Sequence, residues 1–269
     1  MIPKIIHYFW FGHGELPKTE KMCIESWKKF CPDYEIIRWD ESNYDITKNE
    51  YMKEAYSAGK WGFISDYARL DILYQYGGFY LDTDVELLRS LDDFRGKSAF
   101  MGFENTSYVA PGLGMGAQVH HPFFLVLMQV YERQHFIKPN GMYNLITIPS
   151  IVTKLLVERG LVLDNSYQEL NEVTIYPTEY FCPLDYDTGI LNITENTYSI
   201  HHYSASWVPE EERRARAVRM YMADKFGKKK GLQIAKIVNM PVRLKIHLKE
   251  KGITGTLAFA IEKLLKREG

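Results

Sequence analysis

The sequence of 269 residues has few cysteines, almost no net charge and no long apolar run. Its cysteines, Cys23, Cys31 and Cys182, are odd in number and widely spaced, which excludes an obvious disulfide framework or metal-ligand motif. We therefore expect thiols in a reducing compartment. No window approaches the ~18–20 apolar residues of a membrane span, and no secretory signal is recognised at the start. A cytoplasmic location is expected, with a peripheral position on the inner face of the cytoplasmic membrane as the alternative.

The net charge of −1 conceals an uneven distribution of charge along the chain. Residues 225–269 contain 12 basic and 3 acidic residues, whereas residues 1–224 contain 21 basic and 31 acidic ones. The balanced total argues against a nucleic-acid-binding protein. Apolar residues among the lysines of the tail are typical of cationic amphipathic helices at an anionic membrane surface, and packing of the tail onto the acidic body is the alternative. We expect one domain over 1–224 and an amphipathic appendage over 225–269.

The order of the predicted elements favours an α/β fold with a parallel sheet and helices on both faces. The chain begins with a βαβ pattern, and a later helix ends at Gly77-Gly78 before an apolar strand. A glycine-rich stretch over 105–118 is interpreted as a loop against a ligand, in which Gly112, Gly114 and Gly116 either let the backbone approach that ligand or form turns. The expected strands are 4–11, 34–39, 78–85 and 173–176, and the expected helices are 19–30, 64–75, 122–133 and 150–159.

Asp82-Thr83-Asp84 is the most informative triplet for chemistry. Two carboxylates at i and i+2 of a strand point to the same face and can converge on one cation. Oxygen ligands suit Mg²⁺ or Mn²⁺, with a substrate diphosphate in the remaining positions. An isolated Asp-x-Asp is often only a solvated strand end, but this one follows an apolar strand, whose carboxyl end is where open α/β sheets bind ligands.

Asp66 and Arg69 form a second group, three residues apart on one face of a predicted helix. A surface ion pair would give the same spacing. A helix N-terminus capped by Ser65 or Asp66 is a further alternative.

Three ordered motifs resemble glycosyltransferase family 32, the Och-type mannosyltransferases and bacterial capsule and lipopolysaccharide enzymes. Residues 61–84, WGFISDYARLDILYQYGGFYLDTD, are similar to the family's core motif with its Asp-x-Asp. Residues 2–10, IPKIIHYFW, look like its first strand, and residues 200–207, IHHYSASW, are similar to its terminal segment. Large clostridial glucosylating toxins share the arrangement more distantly.

The resemblance implies a GT-A fold, which is a Rossmann-like nucleotide-sugar-binding domain with a mixed, mainly parallel sheet, here followed by a helical basic C-terminal appendage. It implies a nucleotide-diphosphate sugar as donor, with a UDP-sugar expected, and Mn²⁺ or Mg²⁺ as cofactor. Transfer with retention to a glycan or lipid-linked glycan in capsule or lipopolysaccharide biosynthesis is expected. The donor's identity, the acceptor and the oligomeric state stay open.

Carried over by position, the resemblance also assigns roles to residues. Asp84 is expected to ligate the metal, and Asp82 to touch the donor's sugar or ribose and a metal-bound water. Asp66 and Arg69 are expected to hydrogen-bond the sugar hydroxyls. Trp10 is expected to stack on the base. Ser206 and Trp207 are expected to close over the diphosphate and metal together with one of two histidines, His201 or His202, of which His201 is preferred.

Retention requires either a carboxylate nucleophile or attack from the leaving-group face. Asp66 and Glu104 are candidate nucleophiles that spacing does not separate from hydrogen-bonding residues, so we favour front-face attack with the leaving diphosphate as base.

Two other classes of protein compete with a glycosyltransferase. A haloacid-dehalogenase-like phosphatase would use Asp82 and Asp84 as nucleophile and acid, but the acidic pair Asp92-Asp93 follows too soon for that signature. A non-enzymatic carbohydrate-binding protein would use the chain's 38 aromatic residues as stacking platforms.

Overall fold

The computed structural model of the chain describes residues 1–12, 14–204 and 210–242. The chain forms two compact units, one of residues 1–184 and 191–204 and the other of residues 185–190 and 205–269. The predicted boundary after residue 224 stays a prediction.

The first unit contains ten strands and six α-helices within the described residues. Its strands are β1 Ile5–Phe9, β2 Glu35–Trp39, β3 Gly78–Tyr80, β4 Val85–Leu87, β5 Ala99–Asn105, β6 Tyr108–Val109, β7 Met115–Ala117, β8 Gln168–Glu169, β9 Thr174–Tyr176 and β10 Ser199–His201. Its helices are α1 Lys18–Phe30, α2 Glu50–Ser57, α3 Trp61–Tyr76, α4 Pro122–Glu132, α5 Ile148–Val157 and α6 Thr178–Phe181.

One mixed sheet organises the first unit. Its strand order is β2-β1-β3-β7-β5-β9-β8, and β6 pairs with β5. Five of the seven strands on this path run in one direction, and only β7 and β8 are reversed. The mixed, mainly parallel sheet of an α/β fold, as predicted from the sequence, is confirmed.

Two expectations about strands are wrong. The strand predicted over 78–85 ends at Tyr80, and Asp82 and Asp84 lie in a turn that the Val85 amide closes on the Asp82 carbonyl oxygen at 3.0 Å. The two carboxylates are therefore placed by a turn and not by strand alternation. The loop predicted over 105–118 contains β6 and β7, and β7 lies in the middle of the main sheet between β3 and β5.

The predicted stop at Gly77-Gly78 is confirmed, and the backbone shows why glycine is needed there. Gly77 follows the last residue of α3 with φ +63, and Gly78 has φ +91. A Cβ on Gly78 would lie 2.7 Å from the Ile5 carbonyl oxygen. The two glycines thus let the chain leave α3 and enter β3 directly beside β1.

The short strands β4 and β10 form a separate antiparallel pair. His201 is opposite Val85, and Ser199 is opposite Leu87 in their register. Helix α1 packs against this pair, since the Trp27 indole Nε1 donates to the Val85 carbonyl oxygen at 2.7 Å. This pairing places His201 next to the turn that contains Asp82 and Asp84, here called the acidic turn.

The second unit contains helices α7, Glu210–Phe226, and α8, Lys228–Val238, joined at Gly227. The Asn239 side-chain amide donates to the Ala215 carbonyl oxygen at 2.8 Å, which ties the end of α8 to α7. The predicted helical character of the appendage is thus observed as far as residue 242, and its remainder lies outside the described residues. In the described part of the chain, no helix has the length and apolarity needed to cross a bilayer. Cys23, Cys31 and Cys182 are buried and form no disulfide.

Candidate active site

The acidic turn after β3 meets the end of β10 at the carboxyl edge of the sheet. Ligand atoms of Asp82, Asp84 and His201 all lie within 4.8 Å of one another. His201 Nε2 is 3.1 Å from Asp84 Oδ1, and the Ser204 amide donates to Asp84 Oδ2 at 2.8 Å. Residues from two distant parts of the sequence thus form one cluster, and its predicted role in binding a metal stays a prediction.

Electrostatics favour the ionised forms of Asp84 and His201. Burial acts to raise the pKa of Asp84, but the charge and hydrogen bond of His201 and the amide of Ser204 lower it to about 2. Burial lowers the pKa of His201, but the charge and hydrogen bond of Asp84 together with the charges of Asp82 and Glu104 outweigh it, so the net shift is upward. His201 Nδ1 is buried and has no hydrogen-bond partner. The imidazole therefore has an unused polar atom beside two carboxylates.

Arg69 joins the acidic turn to helix α3. Its Nη1 lies 3.2 Å from Asp82 Oδ1, and its Nη2 lies 3.5 Å from Asp66 Oδ1. Arg69 also donates to the carbonyl oxygen and Oγ of Ser65, and its guanidinium lies 4.7 Å from the centre of the Tyr80 ring. These contacts fix the orientation of the guanidinium in the protein without a bound ligand.

Both sequence-based alternatives for Asp66 and Arg69 are wrong. Their exposed fractions are 6% and 5%, so the pair is not a surface ion pair. Helix α3 begins at Trp61, which places Ser65 and Asp66 inside the helix and not at its N-terminus. Burial raises the pKa of Asp66 to about 7, with Arg69 opposing and Asp82 reinforcing the shift.

Gly112 is a site residue whose partner the sequence did not indicate. Its carbonyl oxygen accepts from the Asp82 amide at 3.2 Å, and a Cβ on Gly112 would lie 2.2 Å from Asp82 Oδ2. Gly112 therefore admits a carboxylate of the protein itself. Gly114 has φ +142 beside Leu81, and Gly116 packs in β7 against the Phe100 ring.

His201 and His202 point to different partners. His202 Nε2 is 2.8 Å from Glu86 Oε2, and its amide donates to the Asp84 carbonyl oxygen at 2.9 Å. His202 is thus paired with a different carboxylate, while His201 faces Asp84. The preference for His201 over His202 agrees with this placement.

Glu104 and Tyr203 lie beside the same cluster. The Tyr203 hydroxyl donates to Glu104 Oε1 at 3.3 Å, and the Tyr203 ring centre is 4.2 Å from that of His201. Burial raises the pKa of Glu104. Sequence reasoning did not single out Tyr203, Ser204 or Tyr80, whose hydroxyl donates to Asp82 Oδ1 at 2.7 Å.

Trp10 directly follows β1 and is partly exposed. Its indole Nε1 donates to the Gly14 carbonyl oxygen at 2.6 Å, which fixes the ring. Stacking of Trp10 on a base stays a prediction. Ser206 and Trp207 lie outside the described residues.

Two carboxylates and an imidazole are a donor set that suits Mg²⁺ or Mn²⁺. The buried, unpartnered Nδ1 of His201 fits a site that a cation completes. Their place, at the carboxyl edge of an α/β sheet, is where such folds bind phosphorylated ligands. The fold and the site therefore define the class of α/β proteins with a candidate ligand site at the carboxyl edge of the sheet.

Comparisons with known proteins narrow this class. Residues 17–101 match the family described as glycosyltransferase sugar-binding region containing DXD motif. The chain is 34% identical over 143 residues to inositol phosphoceramide mannosyltransferase 3 of Schizosaccharomyces pombe, covering 50% of this chain and 38% of that protein. It is 27% identical over 225 residues to an uncharacterized glycosyltransferase of Acanthamoeba polyphaga mimivirus, covering 78% of this chain and 85% of that protein. The solved PaToxG glycosyltransferase shares 17% identity at a TM-score of 0.45, covering 58% and 68% of the two chains.

The chain is similar to the glycosyltransferases that carry this DXD region, and the family resemblance found in the sequence is confirmed. The predicted enzyme class is the class named for these relatives, whereas neither a phosphatase nor a carbohydrate-binding protein is among them. The chain spans 38% of the length of the fungal relative.

Proposed function

We propose that the protein transfers a hexosyl group from a nucleotide-diphosphate sugar to a glycan or lipid-linked glycan, with a divalent cation bound by Asp82, Asp84 and His201. The observation that carries the proposal is the meeting of these three side chains within 4.8 Å inside a glycosyltransferase DXD protein. When bound, the cation neutralises the negative charge that develops on the leaving diphosphate.

The donor sugar is proposed to lie against Arg69 and Asp66. Arg69 is held by Asp66, Asp82 and Ser65, so its remaining donor capacity is pre-oriented toward the edge of the sheet. Pre-orientation lowers the reorganisation needed when a sugar hydroxyl binds. Trp10 is proposed to stack on the base, for which its fixed and partly exposed indole is suited.

Retention is proposed to proceed by front-face attack. The bond from the anomeric carbon to the diphosphate oxygen breaks, a bond to the acceptor oxygen forms on the same face, and the acceptor proton passes to the leaving diphosphate. Asp66 is held by Arg69, and Glu104 accepts from Tyr203. Because both carboxyl groups already have such partners, this supports front-face attack over a carboxylate nucleophile.

The names of the relatives suggest which sugar donors and which acceptors to include in an assay. The fungal relative is named as a mannosyltransferase that acts on inositol phosphoceramide, a lipid. A mannosyl donor therefore joins the UDP-sugars as a candidate, and a lipid-linked acceptor joins the capsule and lipopolysaccharide glycans.

The testing experiment is a thermal-shift panel of UDP- and GDP-sugars with and without Mn²⁺ or Mg²⁺, followed by transfer assays with the stabilising donor. Ligand binding to the folded state raises the melting temperature, because it stabilises that state by RT ln(1 + [L]/Kd). We expect one donor to stabilise the protein only with cation. Undiminished transfer in excess chelator would disprove the metal role, and monoester hydrolysis without transfer would favour a phosphatase.

We further propose that residues 225–269 contact an anionic membrane surface. The described part of this segment supports the proposal, because Ile237 and Met240 are 72% and 66% exposed among lysines. A chain ending near Ala223 is expected to lose the tail's salt-sensitive share of binding to anionic vesicles and to keep donor hydrolysis. Unchanged vesicle binding would disprove this role.

A further inference from the structure

Residues 136–146 form a hairpin, here called the apolar hairpin, that follows α4. Ile137 and Tyr143 pair as an antiparallel bridge, and the Lys138 amide donates to the Met142 carbonyl oxygen at 2.8 Å. Gly141 adopts φ +76, and its amide donates to the Lys138 carbonyl oxygen to close the turn. The segment is thus a hydrogen-bonded structure of its own.

The base of the apolar hairpin is fixed to the body of the first unit. Phe136 is fully buried, with its ring centre 5.1 Å from that of Phe63 on α3. The carboxylate of Glu54 on α2 accepts from the Ile137 amide at 2.8 Å and lies 2.9 Å from His135 Nδ1. Helices α2 and α3 therefore hold the hairpin in one orientation.

The outward side chains of the apolar hairpin are large and hydrophobic. Five such side chains occur within ten residues, although the segment lies at the surface. Contiguous exposed apolar surface of this kind marks an interaction site. The exposed fractions are 39% for Ile137, 53% for Met142, 41% for Tyr143, 50% for Leu145 and 52% for Ile146.

The apolar hairpin has a basic and no acidic side chain of its own, although it lies between Glu132 and Glu158 in the sequence and Glu54 contacts its base. Residues 133–157 contain no aspartate or glutamate, and they include Arg133, Lys138 and Lys154. Lys60 Nζ also lies 5.7 Å from the centre of the Tyr143 ring. Lysine is depleted in protein–protein interfaces but favours the surface of anionic lipids, so charge selects a lipid surface over a protein partner.

We propose that the apolar hairpin is a membrane contact that inserts Met142, Leu145 and Ile146 at the interface of an anionic bilayer, with Lys60 and Lys138 at its phosphates. Tyrosine is suited to the same depth because its ring is apolar and its hydroxyl polar. The contact goes beyond the proposed reaction, since it holds for any donor sugar. Lys60 directly precedes α3, which carries Asp66 and Arg69, so the contact places this helix near the lipid surface.

The test measures co-sedimentation of the full chain with vesicles of phosphatidylcholine and phosphatidylglycerol. Leu145→Ser combined with Ile146→Ser is expected to lower the partition coefficient about tenfold, because two aliphatic side chains no longer enter the interface. Val162→Ser combined with Leu163→Ser is the matched control, since these aliphatic residues are 58% and 43% exposed outside the hairpin. The control is expected to bind as the wild type does.

Measurements at about 0.5 M salt separate the hairpin from the basic tail, because salt screens charge attraction but not apolar insertion. The loss caused by Leu145→Ser with Ile146→Ser is expected to persist there, while Lys138→Glu weakens binding at low salt only. Equal urea midpoints for all variants show that folding is intact.

Amide hydrogen exchange gives a second readout on the unmodified protein. Vesicles are expected to slow exchange in peptides covering 137–146 and to leave those covering 162–167 unchanged. Wild-type binding by the Leu145/Ile146 variant, or no protection at 137–146, would overturn the inference. A change from dimer to monomer in that variant with unchanged vesicle binding would instead identify a second copy of the chain as the occupant, which also overturns it.

Discussion

Two histidines with little exposure to solvent, His7 on β1 and His201 on β10, have contrasting surroundings. Trp39 Nε1 lies 3.1 Å from His7 Nδ1, and the Gly77 carbonyl oxygen lies 2.9 Å from His7 Nε2. An indole nitrogen only donates, so Nδ1 accepts and Nε2 carries the proton. His7 is therefore a neutral ring with both nitrogens satisfied, whereas His201 faces Asp84 and keeps an unpartnered Nδ1.

The comparison teaches that burial by itself does not distinguish a structural histidine from a functional one. Burial lowers the pKa of His7 to about 4, with the Gly77 hydrogen bond opposing the shift, whereas the charge of Asp84 raises that of His201. The partners of the two nitrogens separate the cases. Substitutions at the two sites are expected to damage different properties.

The greatest expected effect is on catalysis, from Asp84→Asn. Loss of the charge beside His201 is expected to lower cation-dependent transfer by roughly 10²–10³-fold, as removal of a transition-state charge partner does elsewhere. Steady-state rates at saturating Mn²⁺ measure this. Glu86→Gln is the matched control, because it removes the carboxylate that pairs with the adjacent His202. It is expected to change the rate by less than about threefold. Equal losses in the two variants would contradict the assignment.

The next largest effects are expected from substitution of the two histidines, one of which should lower the transfer rate and the other the stability. His201→Gln is expected to lower transfer by about 10–100-fold with little change in the urea midpoint. His7→Gln is expected to lower the free energy of unfolding by about 2 kcal/mol, because buried hydrogen bonds to Trp39 and Gly77 are disturbed. Activity per folded molecule should survive in that variant. The comparison breaks if His7→Gln abolishes transfer while stability is unchanged.

A smaller effect is expected from Gly112→Ala. The added methyl group would lie 2.2 Å from Asp82 Oδ2, so the carboxylate must move away from the position that Arg69 and Tyr80 fix. We expect transfer to fall about tenfold, since small misplacement of a site group is costly. Gly96→Ala, which also adds a methyl group but meets no atom within 4 Å, serves as control for the rate. Equal rates for Gly112→Ala and wild type would show that this contact does not matter.

The smallest expected effect is a pH dependence of stability that comes from His7. Its folded pKa of about 4 lies below the unfolded value, so the unfolded state binds the proton first and stability falls as pH drops from about 6.5 toward 4. At about pH 5.5 the loss should be about 1 kcal/mol. Urea titrations of wild type and His7→Gln check it, and equal pH slopes for the two proteins would remove His7 as the cause.

The first elements of the main sheet and the helices that connect them were predictable from the periodicity of apolar residues and from the positions of glycine. Helix α3 and its stop at Gly77 came from helical spacing followed by Gly-Gly, and β1, α1 and β2 came from their residue types. Strand β7 was missed, because Met115-Gly116-Ala117 has no β-branched or aromatic residue to indicate a strand. Its pairing depends on contacts with β3 and β5 and not on local propensity.

The sequence predicted which residues form the candidate site better than it predicted how they are arranged. Alternation showed that His201 and His202 face opposite sides, but only the pairing of β10 with β4 shows that His201 faces Asp84. The burial of Arg69 has a signal that sequence reasoning did not use, since α3 is apolar around much of its circumference near that residue. A charged pair inside such a helix indicates a buried network.

The reversed direction of β7 affects how the surroundings of the site can vary. A strand parallel to β3 would present the segment after it to the carboxyl edge of the sheet, whereas β7 presents the segment before it. Gly112, which contacts Asp82, lies in that preceding segment. Insertions between β5 and β7 can therefore reshape the surroundings of the acidic turn while both strands keep their register, so that this connection offers a route to altered donor selectivity without a change in the sheet.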